Sequence, residues 1–235
     1  GAGLEIAAVP APHVWLRPEN LPPAGSEIVQ WPDASGFANH ANATGFRRAS
    51  VRANALNGYP VAKFSELGPN EYSGLYWLQF WQFWTEAEIF ALVKADLDPS
   101  ADNTKSALWS LGTTQHRYPS TAGEIQEVWF QAAPINCGNP AKNLDAWRLY
   151  NVASGAAELT ARLDNAILYS TTAGTFHNPG PAEFIHLGGS TLGPTLHGWL
   201  GEIAEIRIFR RVLPTAERAA VVQDLSDKYA LGLVA

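Results

Sequence analysis

The chain has 235 residues, of which 46% are apolar, with 22 acidic and 16 basic side chains and a formal net charge of −6. That balance supplies a sizeable core but no basic surface, which argues against nucleic acid and against an anionic membrane as partners. One cysteine, Cys137, precludes an internal disulfide and leaves the compartment open, and every apolar run stops well short of the ~18 residues of a membrane span.

Residues 1–12 are rich in Ala and Pro and read as a surface arm ahead of one large domain over 13–235, a size routine for all-β sandwiches. They show no basic-then-apolar leader, and with no methionine in the chain Gly1 reads as a processed or engineered start. His13-Val14-Trp15-Leu16 reads as a first strand. In Trp31-Pro32-Asp33-Ala34-Ser35-Gly36, the side chains of Asp33 and Ser35 are expected to bond the backbone two residues on and hold a turn. His40 has no second ligand at a metal spacing and reads as a loop residue. Leu56-Asn57-Gly58-Tyr59 leads into a strand over Pro60 to Phe64.

Tyr72 to Trp84 places seven aromatic residues in thirteen positions. Alternation puts Tyr76, Leu78, Phe80 and Trp84 on one face and Trp77, Gln79, Trp81 and Phe83 on the other, so both faces are apolar. Such a strand is buried on both sides or shows one aromatic face to a glycan or a protein partner. Glu88 to Ala95 is a clear strand. The loop after it carries Asp96, Asp98 and Asp102, a faint likeness to a calcium loop that lacks the glycine and closing glutamate of an EF-hand.

Further strands are expected over Ala107 to Leu111, Glu127 to Ala132 and Ala146 to Val152. Tyr118, Trp129 and Trp147 fit the concave face of a sheet and fit a core equally well. Leu159 to Leu168 reads as a hairpin turning at Asp164-Asn165. Phe184 to Leu187 precedes Gly188-Gly189, and Ile203 to Phe209 reads as a half-buried strand with Ala204, Ile206 and Ile208 on one face. After a turn at Val212-Leu213-Pro214, Thr215 stands as N-cap of an amphipathic helix that runs to about Tyr229.

The closing order of glycine, strand, Arg-Arg-x-Leu-Pro turn, Ala-Glu-Arg helix and Lys-Tyr-Ala-Leu end resembles the last segment of the laminin-G-like, or concanavalin A-like, lectin/glucanase superfamily in its bacterial or phage form. The first strand, the Trp31 to Gly36 turn and the Asn57-Gly58-x-Pro60 strand resemble that family's landmarks in the same order. The resemblance implies an all-β, two-sheet antiparallel jelly-roll sandwich with a short C-terminal helix. It also implies a non-catalytic recognition module for carbohydrate or a cell-surface glycan, extracellular or on a virion surface. Trp77, Trp81, Tyr118 and Trp129 are the expected ligand-stacking residues, because sugar rings offer apolar C–H faces to aromatic side chains. No cofactor is expected, with calcium at the aspartate loop as the alternative. The rival reading is a structural protein, such as a virion decoration or fibre module acting through homo-oligomer contacts or another surface protein. A glycoside hydrolase is a third reading, disfavoured because Glu202 and Glu205, three apart, are expected on opposite faces of their strand.

Overall fold

Strands with apolar side chains on both faces require cover on both sides. Ala87–Ala95 and Gly201–Phe209 are of this kind, and they lie side by side in the middle of an eight-stranded antiparallel sheet. The computed structural model describes residues 8–43, 48–68, 71–77, 81, 83–111, 114–173, 176–178, 185–190 and 197–234. In the large sheet the order runs Ala166–Thr171, Glu158–Leu163, Arg148–Gly155, Ala87–Ala95, Gly201–Phe209, Tyr59–Phe64 and Ser50–Leu56, and Val14–Leu16 pairs with Gly201–Phe209 beyond the end of Tyr59–Phe64. A six-stranded sheet faces it, ordered Thr114–Gln115, Trp109–Leu111, Ile185–Leu187, Leu75–Trp77, Ala41–Ala43 and Gln30–Trp31. The main core lies between these sheets. The helix Thr215–Tyr229 covers the opposite face of the large sheet through Val221, Val222, Leu225 and Tyr229, packed on Phe90, Leu92 and Phe209. The expected two-sheet sandwich with a C-terminal helix is therefore the observed architecture.

Two hairpins turn where the sequence places them. Asn57 and Gly58 have φ of 46° and 82°, and Asp164 and Asn165 have 50° and 68°. Two successive positive-φ residues match the twist of the strands they join, and Asn, Asp and Gly adopt that conformation at little cost.

The closing strand departs from simple alternation. Ile203 pairs with Val93 but Glu205 pairs with Leu92, so Ala204 is an inserted residue and the parity flips there. Ile203, Ile206 and Ile208 enter the core between the sheets, while Ala204 and Phe209 face the helix. Glu202 and Glu205, opposite Lys94 and Leu92, thus share the helix face. The expectation that they point to opposite faces is overturned by one bulged residue. Similarly, the strand expected over Glu127 to Ala132 ends at Glu127, because the Glu127 carboxylate accepts the N–H groups of Val128 and Trp129 and turns the chain. Thr215 is the first helical residue, not the cap. Pro214 holds the cap position with no side-chain hydrogen bond.

Buried charge ties the helix to the sheet. Glu88, fully buried, accepts from Arg218 Nε at 2.7 Å, Asn151 Nδ2 at 2.9 Å and Leu213 N at 2.7 Å. Removing either member of such a pair leaves an uncompensated charge in a dry interior.

Of the Ala/Pro-rich start, residues 1–7 lie outside the described residues, as do Leu78, Gln79, Phe80 and Gln82 of the aromatic stretch and Phe184. In the Gly188-Gly189 pair, Gly188 has φ of 77°, and a Cβ there would lie 2.0 Å from Phe64 Cδ1. Gly188→Ala is expected to lower stability by about 2–4 kcal/mol, from strain plus overpacking, read as a fall in the urea midpoint with an unchanged slope.

Candidate functional site

The four aromatic residues expected to stack on a ligand lie inside the sandwich. Trp77 and Trp81 are 1% exposed, Tyr118 and Trp129 are fully buried, and all four belong to the core between the sheets. Trp129 sits edge-on to Trp109 at 5.7 Å and to Phe130 at 5.0 Å, and Tyr118 lies 5.3 Å from Tyr150. None presents a ring face to solvent. Trp147 does not join them, since it packs with the helix-side cluster.

Beside these rings is a dry polar centre. Oε1 of the fully buried Glu127 accepts from Trp109 Nε1 at 3.1 Å and from Val128 and Trp129 N–H at 2.7 and 2.6 Å. Oε2 accepts the Tyr150 hydroxyl at 2.5 Å and lies 3.2 Å from His116 Nε2. Burial alone would raise the Glu127 pKa, but His116, the Tyr150 hydrogen bond and the Trp129 N–H outweigh it and hold the carboxyl below its ordinary value. This group shapes a turn and has no route to solvent. The Cys137 thiol nearby is pushed far up by burial, so it is an inert core thiol.

The acids of the aspartate loop and of the closing strand are also engaged. Asp96 pairs with Lys63, Asp98 accepts Leu144 N–H at 2.7 Å, and Asp102 accepts Thr104 N–H at 2.8 Å. Among the described residues no group of three or more His, Cys, Asp or Glu is placed to hold a metal. Glu202 pairs with Arg52. Glu205 accepts from Arg207 Nε, Lys228 Nζ, Tyr229 Oη and Trp15 Nε1, each at 2.7 Å. Burial pushes its pKa up, yet Arg207, Lys228 and the Tyr229 hydrogen bond bring it below the ordinary value. A glycosidase acid needs a raised pKa and an exposed proton, and Glu205 has neither.

What solvent meets instead is a set of loops gathered by Asp33. Its Oδ1 accepts Trp15 N–H at 2.7 Å and Ser35 N–H at 3.0 Å, and its Oδ2 accepts Ser35 Oγ at 2.6 Å and Asn39 N–H at 2.9 Å. Its own N–H donates to His40 Nδ1 at 2.9 Å, so His40 is a loop support as its isolation implied. Ser35 Oγ and Asn39 Nδ2 both donate to the His13 carbonyl, at 2.9 and 3.0 Å. This wiring fixes the loop from 33 to 39. Gly36 and Ala38, with φ of 91° and 58°, bracket Phe37 and turn it outward, 59% exposed.

Phe37 stacks on the His13 ring at 4.3 Å, and Trp84 meets His13 edge-on at 5.2 Å. Phe83, next to Trp84, has φ of 68° and is 84% exposed. Asn178 Nδ2 donates to the Trp84 carbonyl at 2.7 Å and brings a third loop alongside, with His177 exposed next to it. Burial and the nearby Arg210 charge, against Asp33, lower the His13 pKa and so favour its neutral imidazole. One exposed phenyl ring, Phe37, thus stacks on the His13 imidazole from a loop that Asp33 holds in place, and a second, Phe83, is exposed next to Trp84, whose ring also meets His13.

Sequence reasoning missed Phe37 and did not separate Phe83 from its neighbours. The usable signal was a single aromatic residue between glycine and alanine directly after the Asp-x-Ser-Gly turn. For Phe83, alternation placed it with Trp77 and Trp81, whereas its left-handed backbone takes it out of that face.

The chain matches no protein-family model and no curated protein sequence. Among solved structures it is similar to Trypanosoma rangeli sialidase in complex with sialic acid, with a TM-score of 0.62 and 16% identity over 94% of this chain and 34% of that one. It is also similar to the binding domain of botulinum neurotoxin serotype D/C, with a TM-score of 0.61 and 11% identity over 92% of this chain and 52% of the other. A domain described as a receptor-binding domain gives a TM-score of 0.61 at 8% identity, over 92% of this chain and 51% of that one. The chain spans about a third of the sialidase and about half of the binding domains. At these identities the likeness is one of fold: an all-β architecture shared with carbohydrate-acting and receptor-binding proteins.

Two outcomes are expected. Asp33→Ala removes the acceptor for four hydrogen bonds and should cost about 2–3 kcal/mol, with amide exchange of residues 35 to 39 accelerating more than that of the sheets. Glu205 has a folded pKa below its ordinary 4.5, so its contribution is complete above that value and is lost as pH falls through the folded pKa. Urea unfolding from pH 7 downward should show an acid limb that Glu205→Gln flattens, the variant being less stable at pH 7.

Proposed function

We propose that the chain is a non-catalytic recognition module of the laminin-G-like, concanavalin A-like kind, exposed outside the cell or on a virion surface, and that it binds carbohydrate at the loop end around Phe37 and Phe83. One observation carries the reading: Phe37 and Phe83 are 59% and 84% exposed, and the loop that carries Phe37 is already fixed by Asp33. Exposed aromatic faces suit the C–H faces of sugar rings, and a loop ordered in advance spares the entropy cost of ordering it on binding. The order of sequence landmarks supports the family. The fold neighbours support recognition as its use, since one is a sialidase in complex with sialic acid, one a receptor-binding domain, and one a botulinum neurotoxin binding domain in complex with rat synaptotagmin II.

A second reading, assembly with a further copy of the chain, draws on a different observation. Ala166–Thr171 is an outer strand of the large sheet, carries no charged residue, and shows Ile167 at 64% exposure. Such edges invite strand pairing. A molar mass in solution equal to one chain removes this reading; a stable dimer supports it.

Trp84, 3% exposed and in contact with His13, makes tryptophan fluorescence a readout for the loop end. Titration with a glycan panel should give a saturable change for one class of sugar. Phe37→Ala and Phe83→Ala should each weaken that binding about five- to tenfold, the equivalent of about 1–1.4 kcal/mol, with thermal midpoints unchanged. Undiminished binding in both variants would remove the site from this end of the sandwich.

A further inference from the structure

Among the described residues, Arg210 is an exposed arginine at this end that makes no ion pair. The strand Gly201–Phe209 ends immediately before it, and His13 N–H donates to the Ile208 carbonyl at 2.7 Å, which sets Arg210 beside His13 and its stacked partner Phe37. Other arginines are spent on the fold: Arg52 on Glu202, Arg148 on Asp164, Arg207 on Glu205 and Asp224, Arg211 on Glu217, and Arg218 on Glu88. Asp33, the acid whose charge reaches His13, has both oxygens engaged by two donors each. Neutral donors leave Asp33 its negative charge, and Glu86 lies next to Ala87, across the strand pair from Arg210, so the end as a whole is not cationic; what it offers is one exposed guanidinium with no ion pair among the described residues, on a chain whose net charge is −6. An anionic ligand, repelled by the chain as a whole, gains a local attraction here.

We infer that this end of the sandwich selects anionic sugars, with the Arg210 guanidinium taking the carboxylate or sulfate while an apolar face of the ring rests on Phe37 or Phe83. The inference rests on the carbohydrate reading above and adds the charge of the ligand to it. A guanidinium presents a planar fork of donors that matches a carboxylate or sulfate, and its hydrogen bonds to an anion are about twice as strong as neutral ones.

The test uses three oligosaccharides measured against the intact chain by calorimetry: one bearing a uronate carboxylate, its carboxyl-reduced counterpart, and a sulfated neutral-sugar analogue. The carboxylated or the sulfated ligand should bind about tenfold more tightly than the reduced one, with the preference shrinking as salt is raised. Arg210→Ala should erase the preference and leave the residual affinity of the reduced sugar. Arg210→Lys should retain part of it. Equal binding of all three sugars, or a preference that survives in Arg210→Ala, overturns the charge selection and leaves the carbohydrate reading standing. Absence of binding to any of a broad panel, neutral sugars included, overturns the carbohydrate reading and this inference with it. Since Arg210 is exposed and unpaired, its variants should keep the parent thermal midpoint, so a lost preference reports on binding rather than on folding.

Discussion

Two adjacent strands, Ala87–Ala95 and Gly201–Phe209, bury apolar side chains on both of their faces, and this requirement for two-sided cover arranges the rest of the molecule. One face takes the six-stranded sheet and the tryptophans of the main core; the other takes the C-terminal helix. The bulge at Ala204 serves both partners. By flipping the parity of the strand it sends Ile203, Ile206 and Ile208 to the inner core and brings Glu202, Glu205 and Arg207 to the side where Arg52, Lys228 and Asp224 wait.

The charges on that side act as fixings. Glu88 and Glu205, both nearly or wholly shielded from water, are each met by cations and by neutral donors, which is the condition for an ionised carboxylate to persist in a dry place. A helix held only by a greasy stripe could slide along the sheet, whereas one held by Arg218 on Glu88 and by Lys228 and Tyr229 on Glu205 has a single seating. The buried acids of this chain are accordingly engaged by the architecture, and the surface chemistry at the loop end is aromatic, amide and imidazole, with the Arg210 guanidinium beside it.

Much of the frame was legible in the sequence because its signals are local. The Asn57-Gly58 and Asp164-Asn165 turns, the Asp33 and Ser35 loop, the strand Ala87–Ala95 and the helix over Thr215–Tyr229 all follow from residue types within a few positions of one another. The exposed residues of the proposed site were not legible in the same way. Burial of Trp77, Trp81, Tyr118 and Trp129 is decided by which sheet lies opposite, a long-range fact that alternation within one strand does not contain. The bulge at Ala204 is equally silent, since an inserted residue looks like any other until the partner strand is in register. Phe37 and Phe83 owe their exposure to left-handed backbone at Gly36, Ala38 and Phe83 itself, and only the glycine announces that in the sequence.

The pairing of Val14–Leu16 with the end of Gly201–Phe209 joins the first and last strands of the sheet across nearly the whole chain. Closing a loop of that length gains nothing until both ends are present, which makes such topologies slow to form. During synthesis the two-faced strand Ala87–Ala95 must therefore wait, with one edge open, for a neighbour that leaves the ribosome more than a hundred residues later. The sandwich closes only once its last strand has been made, and the interval before it closes is when its apolar interior is exposed to chaperones and to other copies of itself.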